Sequence, residues 1–263
     1  PATSIRDLVI HENDVVVGTH GRSIWILDDI SPLRRMSVAM QSQMPYLFEP
    51  SIATRVRHNM FSDTPLPPEE PAGKNPPDGA ILDYLLTKPS EKVTLEIRDG
   101  EGNMVRSYSS DDKPEQVVST QIQHPVYWIR PEQTLAKTPG HHRFIWDLRY
   151  EKPVGASRGF SIAAVYKNTT SGPVGPFVHP GTYRVRLIVD GSVSEQSIQV
   201  RLDPRVIIAD QDLRMQSDLS MQCYNSYLVL LDVREEIDGR LNNPNLPLEA
   251  DKKAQIQSLR GNG

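Results

Sequence analysis

The chain has 263 residues, of which 38% are hydrophobic and 24% are charged, so it can bury the core of a globular protein. Its net charge of −4 and the lack of a Lys/Arg cluster with interleaved aromatics argue against a nucleic-acid partner. The longest apolar runs are far shorter than the roughly 20 residues of a membrane span, so no membrane span is expected. The single cysteine, Cys223, excludes an intrachain disulfide and a cysteine-based zinc cluster.

The first 30 residues predict three short strands. Segments 5–10, 15–20 and 23–28 are rich in Val and Ile, and turn residues separate them. A meander of three strands in about 25 residues is typical of most of a propeller blade. Because one blade cannot bury both of its faces by itself, we expect the rest of a propeller upstream of this chain.

Two stretches of this meander carry a family resemblance. Residues 7–11 read DLVIH, and residues 17–29 read VGTHGRSIWILDD. They resemble the closing blade of bacterial sortilin-like BNR-repeat propeller proteins, which are often labelled glycosyl hydrolases. The resemblance continues through residues 75–84, the Trp146 strand and the strand after Pro180. It implies an upstream propeller, an immunoglobulin-like domain after it, and a secreted, periplasmic or cell-surface location. Any glycosidase carboxylates would then lie in the propeller body, outside this chain.

After a connector or short helix at residues 31–45, alternating apolar and polar residues predict a second β-rich unit. Strands are expected at residues 46–48, 53–57, 79–86, 92–99, 104–108, 143–150, 182–189 and 194–202. In two of them the apolar faces would consist of Phe144, Trp146 and Leu148, and of Tyr183, Val185, Leu187 and Val189. Such strands need a second layer to cover those faces, so a β-sandwich is expected.

Two long insertions, residues 110–139 and 151–179, interrupt the predicted sandwich. Loops of this length inside a compact domain are often functional. Tyr127 and Trp128 lie in the first insertion and are candidate ligand-binding aromatics that would stack on a sugar. In the alternative interpretation they plug the core, as we expect for Trp146. Trp25, in the meander, is expected to be a core or interdomain anchor.

The turn between the second and third predicted strands holds two further candidate ligand-binding residues, His20 and Arg22. Exposed polar side chains at a hairpin tip can contact a ligand or a partner domain. The alternative is a purely structural tight turn, in which Gly21 adopts a positive φ.

No catalytic residue, metal site or cofactor is predicted in this chain. Asp28 and Asp29 are adjacent, and neighbouring strand residues point to opposite faces, so they are not placed as a glycosidase pair. A turn is the better interpretation of this acidic pair. His141, His142 and His179 lack a carboxylate at a recognisable metal-ligand spacing. No phosphate-binding glycine loop and no nucleophile elbow occurs.

After Ala209 the apolar period becomes helical. Steps of three and four residues place Leu219, Cys223, Ser226, Leu230, Val233 and Ile237 on one helix face. This stripe is expected to be core packing with Cys223 as a buried, inert thiol, although such a helix can also dock on the sandwich or on another subunit. Asp210 is the expected N-cap, and the expected stop is Gly239 or, beyond it, the run Asn242-Asn243-Pro244. A second short helix is predicted at residues 248–259.

These observations predict a mainly β protein in four parts: the last strands of a propeller blade (1–32), a linker (33–45), an immunoglobulin-like β-sandwich (46–205) and a helical tail (206–263). The favoured function is that of a non-catalytic accessory module, which packs on its own upstream propeller and supports protein or glycan binding. Two alternatives remain open. One is a fragment of a glycoside hydrolase, and the other is a carbohydrate-binding module that binds a polysaccharide through residues 110–139.

Overall fold

The computed structural model describes residues 3–57, 67, 69–70, 73, 75–114, 117, 119–122, 125–156, 159–160, 167–242, 251–252, 255 and 258. The strands are β1 Ile5–His11, β2 Asp14–Thr19, β3 Ile24–Leu27, β4 Tyr46–Leu47, β5 Ala53–Arg55, β6 Ala80–Leu86, β7 Val93–Arg98, β8 Met104–Ser109, β9 Gly140–Trp146, β10 Gly159–Phe160, β11 Ser171–Gly172, β12 Gly181–Val189 and β13 Ser192–Leu202. The α-helices are α1 Ser31–Gln41 and α2 Asp210–Leu241. The protein is therefore mixed α/β and made mostly of strands, with a long helix after the last of them.

The predicted meander is confirmed as an antiparallel sheet of β1, β2 and β3. Its second turn is tight, as expected: Gly21 has a φ of 74° and Ser23 a φ of 63°. Glycine tolerates this left-handed backbone at no steric cost, whereas serine does not. The main-chain NH of Thr19 donates to the carbonyl of Ser23, which closes the loop.

The second β-rich region contains two larger sheets. One has five strands in the order β5-β13-β12-β7-β8, and the other has three in the order β4-β6-β9. All neighbours are antiparallel except β5 and β13, which run parallel. Buried side chains from both sheets belong to one hydrophobic cluster, so the two sheets cover each other's apolar faces.

The two strands with the clearest alternation supply the centre of this cluster. All seven side chains predicted for their apolar faces are buried: Phe144, Trp146, Leu148, Tyr183, Val185, Leu187 and Val189. Trp146 is fully enclosed, its ring packs edge-on against Tyr183, and its indole NH donates to the carbonyl of Arg149. Strand β9 ends at Trp146, so Leu148 reaches the core from a left-handed turn with a φ of 58°.

Helix α1 occupies the segment predicted as a connector or short helix. Pro32 lies in its first turn, where the missing NH costs no hydrogen bond. Its buried Ala39 packs with Phe48 and Leu85, on the side of the three-stranded sheet that faces away from the main core. The side chains of Asp83 and Leu85 therefore project from β6 toward α1 and the N-terminal sheet, while Leu82 and Tyr84 project into the main core.

Helix α2 forms where predicted, but two expectations about it are wrong. Ala209 is the N-cap residue, and Asp210 is the first helical residue, where its carboxylate pairs with Arg214. The predicted stripe is not core, because Leu219, Cys223 and Leu230 are exposed. The helix has apolar residues on two opposite faces, and the body of the protein contacts the other one. Of the two expected stops, the helix passes Gly239 and ends at Leu241.

That opposite face of α2 contacts the body at two described points. Leu213 is buried, and the hydroxyl of Tyr224 donates to the carbonyl of Glu151 at 2.9 Å. Most of the second helix predicted at residues 248–259 lies outside the described residues.

Candidate interaction surface

The N-terminal sheet has apolar side chains on both faces. Directly opposed residues in neighbouring strands project to the same face, so the register assigns each side chain. We call one side the Trp25 face, which consists of Leu8, Ile10, Val15, Val17, Trp25 and Leu27. The other side is the Ile26 face, which consists of Val9, Val16, Ile24 and Ile26.

Both faces are open to solvent. Trp25 is 47% exposed on one face, and Ile24 is 69% exposed on the other. All residues of β1 and β3 are exposed, and those of β2 are half-buried. The core interpretation of Trp25 is therefore wrong within the described part of the chain. A contiguous apolar surface of this kind typically marks an interaction site, and here there are two, back to back.

Arg143 holds this sheet against the second β-rich region. Its guanidinium donates to the main-chain carbonyls of Asp28 and Asp29, at 2.5 and 2.7 Å, just after β3 ends. The same group donates to both carboxylate oxygens of Asp83 at 3.0 and 3.1 Å. Asp83 is only 3% exposed and is also 3.0 Å from Nε2 of His141. The buried carboxylate thus orients the arginine that binds the end of the meander.

Further hydrogen bonds surround this junction. Arg34 of α1 donates to the side chain of Asn13 and to the carbonyl of Glu12, at the turn between β1 and β2. The main-chain NH of Ile30 donates to the carbonyl of Asn13 at 2.7 Å. These hydrogen bonds join the turn between β1 and β2 to α1 and to the residue just before it. The N-terminal sheet therefore has a defined orientation relative to α1 and β9.

The acidic pair Asp28–Asp29 belongs to the junction and lies between the end of β3 and the start of α1. Asp29 is buried, has a φ of 50°, and its carboxylate accepts a hydrogen bond from the NH of Ser31. Partial burial and the nearby Asp14 raise the pKa of the Asp28 carboxyl, and Arg143 opposes that shift. These contacts orient the chain entering α1 and are not those of two carboxylates that flank a substrate bond.

His20 and Arg22 lie at the exposed tip of the N-terminal sheet. The NH of His20 donates to the carbonyl of Ser4, and the indole NH of Trp25 donates to the carbonyl of Arg22 at 2.8 Å. Gly21 has a positive φ, as expected if this segment is a purely structural tight turn. Both residues are exposed, so they are accessible to a ligand or a partner domain.

Tyr127 and Trp128 lie elsewhere, in a short 3-10 turn over Val126–Trp128. Their main-chain carbonyls accept hydrogen bonds from the NH groups of Lys167 and Thr169, so the two long insertions pack on each other. Both side chains are half-buried, and their rings are perpendicular, with centroids 6.3 Å apart. Two perpendicular rings do not form one flat platform for a sugar, so this geometry favours a packing role.

Neither a cluster of metal-ligating side chains nor a membrane-spanning helix is found among the described residues. Among them, no group of three or more His, Cys, Asp or Glu side chains is arranged to hold a metal ion. His141 is bound to Asp83, and Nδ1 of His179 lies 2.7 Å from the carbonyl of Pro180. No described helix combines the length and the apolar character needed to cross a bilayer.

Comparison of the chain with protein-family models, with curated proteins and with solved structures finds no match. The inference about function therefore depends on the geometry of the N-terminal sheet and its junction.

The residues that organise the junction were not found from the sequence. Arg143 and Asp83 lie 60 positions apart and face each other only because β6 pairs with β9 in the observed register. A signal was present nonetheless. Asp83 is a charged residue inside a strand of otherwise apolar residues and tyrosine, and such a charge is rarely buried unless it is paired.

Proposed function

We propose that this chain is the C-terminal accessory part of a sortilin-like β-propeller protein and packs on its own propeller through the N-terminal sheet. In this proposal β1, β2 and β3 are strands of one blade, and the neighbouring blades cover the Trp25 face and the Ile26 face. The chain has no catalytic role of its own, and it supports binding of a protein or glycan by the assembled molecule.

One observation carries this proposal: a small sheet that is apolar and open on both faces. A sheet at the surface of a domain buries one face and leaves a polar one in water. Propeller blades differ, since each is packed between two others. Ten apolar residues distributed over both faces of three strands fit a blade better than a surface sheet.

The junction explains how such a blade would be joined to the following region. Arg143 binds the carbonyls at the end of β3, and Arg34 binds the turn between β1 and β2. These bonds restrain the blade at the end from which the chain leaves. The exposed His20–Arg22 turn at the opposite end stays available to a ligand or to a neighbouring blade.

For the second β-rich region we propose an immunoglobulin-like sandwich. Its five-stranded and three-stranded sheets enclose one core, and their neighbours are antiparallel except for one short parallel pair at an edge. This arrangement supports the domain that the sequence resemblance implies.

A binding experiment tests the proposal directly. The chain and the polypeptide encoded immediately upstream of it are co-expressed with separate tags, and their co-purification is measured. We expect a complex that is lost when a charge is placed on either apolar face, with Leu8→Arg on the Trp25 face and Ile26→Arg on the Ile26 face. Ile207→Arg is the matched control, because Ile207 is fully exposed and outside the sheet.

The variants separate this proposal from its competitors. If the upstream polypeptide does not bind, or if Ile26→Arg binds as well as Ile207→Arg, the blade assignment is wrong. Cleavage of a polysaccharide by the chain alone would overturn the accessory role. Circular dichroism of each variant checks that the loss of binding does not reflect unfolding.

A further inference from the structure

Helix α2 presents a second apolar surface that the proposed blade packing does not use. The stripe of Leu219, Cys223, Ser226, Leu230, Val233 and Ile237 lies on the side of the helix opposite Leu213 and Tyr224. Leu230 is 65% exposed, and Leu219 and Val233 are also open to solvent. The 32-residue helix therefore contacts the body at these two points of one face, and its stripe has no partner among the described residues.

The spacing of this stripe specifies the shape of its partner. Successive members are separated by four, three, four, three and four residues, which is the heptad pattern of a coiled-coil seam. A seam of this period matches another helix packed at a shallow angle, rather than a strand or a loop. The partner is accordingly expected to be a helix.

We infer that the partner is α2 of a second copy of this chain, packed antiparallel about a two-fold axis. In that arrangement the seam is complementary to itself. Leu219 lies against Ile237 of the second copy, Cys223 against its Val233, and Ser226 against its Leu230. The small serine faces the large leucine in both central layers, so volume is matched along the seam.

The residues beside the seam favour the antiparallel arrangement. Tyr227 and Val229 are exposed apolar residues on the two flanks of the seam. At the two-fold axis, Tyr227 lies against Tyr227 of the second copy, and Val229 lies against Val229 of the second copy. Toward the ends, Gln222 faces Glu236 of the second copy, and Ser220 faces its Arg234. No like charges are opposed. In a parallel pair, Val229 would instead face Arg234 of the second copy, and Glu236 would face Leu241 of the second copy.

The position of the body also permits this pairing. The body contacts α2 at Leu213 and Tyr224, which lie in its N-terminal half and on the opposite face. Antiparallel packing places the body of the second copy beside the other end of the helix. The seam from Leu219 to Ile237 is about 27 Å long, so we expect a dimer that dissociates on dilution.

Sedimentation equilibrium of the chain over a range of concentrations tests the association. We expect a monomer–dimer equilibrium, and a dimer about 100-fold weaker for Leu230→Arg, because two central leucines are lost per dimer at about tenfold each. Asn225→Arg adds the same charge to the side of the helix and should leave the equilibrium unchanged. A chain that stays monomeric, or a dimer insensitive to Leu230→Arg, would overturn the inference.

Cross-linking tests the direction of packing. Val233→Cys places a thiol opposite Cys223 of the second copy, and mild oxidation should give covalent dimers on non-reducing gels. The wild-type chain should not cross-link, because antiparallel packing separates the two Cys223 residues by about 15 Å. Adding Cys223→Ser to Val233→Cys should abolish the product. Efficient cross-linking of the wild-type chain would show parallel packing and refute the two-fold arrangement.

Discussion

Replacing Arg143 by leucine tests how the N-terminal sheet is held. The substitution keeps an apolar stem and removes the guanidinium, so the carbonyls of Asp28 and Asp29 lose their donors. It also leaves the carboxylate of Asp83 buried with His141 as its remaining side-chain partner. The variant therefore removes the connection and creates an undercompensated buried charge at the same time.

The expected cost follows from these contacts. Removing one partner of a buried ion pair costs about 3–5 kcal/mol, and a hydrogen bond to a charged group is worth about 1.5–3 kcal/mol. The Arg143 side chain is 26% exposed, so water replaces part of what is lost. We therefore expect a decrease of about 2–4 kcal/mol in the free energy of unfolding.

Urea denaturation followed by circular dichroism measures this change. Hydrogen exchange of the β1–β3 amides should show a larger loss of protection than that of β12, since the connection to the sheet is what breaks. Arg35→Leu is the matched control. Arg35 pairs with Glu49 at 2.8 Å, but both side chains are 58% exposed, and such surface pairs contribute less than about 1 kcal/mol.

A double-mutant cycle sharpens the test. If the cost of Arg143→Leu comes from stranding the Asp83 carboxylate, adding Asp83→Leu should recover part of it, with a coupling energy of about 1–3 kcal/mol. Strictly additive effects, or a cost of Arg143→Leu no larger than that of Arg35→Leu, would refute the proposed junction.

Three further predictions concern the core and the junction. Trp146→Ala should cost about 3–5 kcal/mol and unfold much of the population, measured by urea denaturation. Tyr84→Phe should cost about 1–2 kcal/mol in the same assay, because the Tyr84 hydroxyl both accepts from the NH and donates to the carbonyl of Ala136. Asp28→Asn should stabilise the protein at pH 7: the folded-state pKa of Asp28 is raised, so its ionisation opposes folding as the pH rises through that pKa. Thermal unfolding across pH checks this, and the gain should vanish below pH 3.8, the ordinary carboxyl value.

The strands were predictable because alternation is a local property. A strand buried on one face repeats every two residues, and β7, β9, β12 and β13 were each recognised in this way. The meander of β1 to β3 was equally clear, since turn residues separate its short apolar runs. Trp146 was correctly assigned to the core on the same basis.

The position of α2 was also predictable, but the face that it buries was not. Its sequence has apolar residues on two faces, and the heptad-spaced one was expected to pack inward. The body contacts the opposite face, through Leu213 and Tyr224. Periodicity reports that a face is apolar and does not report what lies against it.

The sequence alone determined most of the segments that form strands and helices, because period and turn chemistry depend on residues close together in the chain. Only the tertiary structure decided which surfaces remain open and which charges meet. The register of β6 and β9 brings Asp83 to Arg143, and the chain after β3 brings two carbonyls to the same guanidinium. Such contacts join residues distant in sequence, so no local pattern records them.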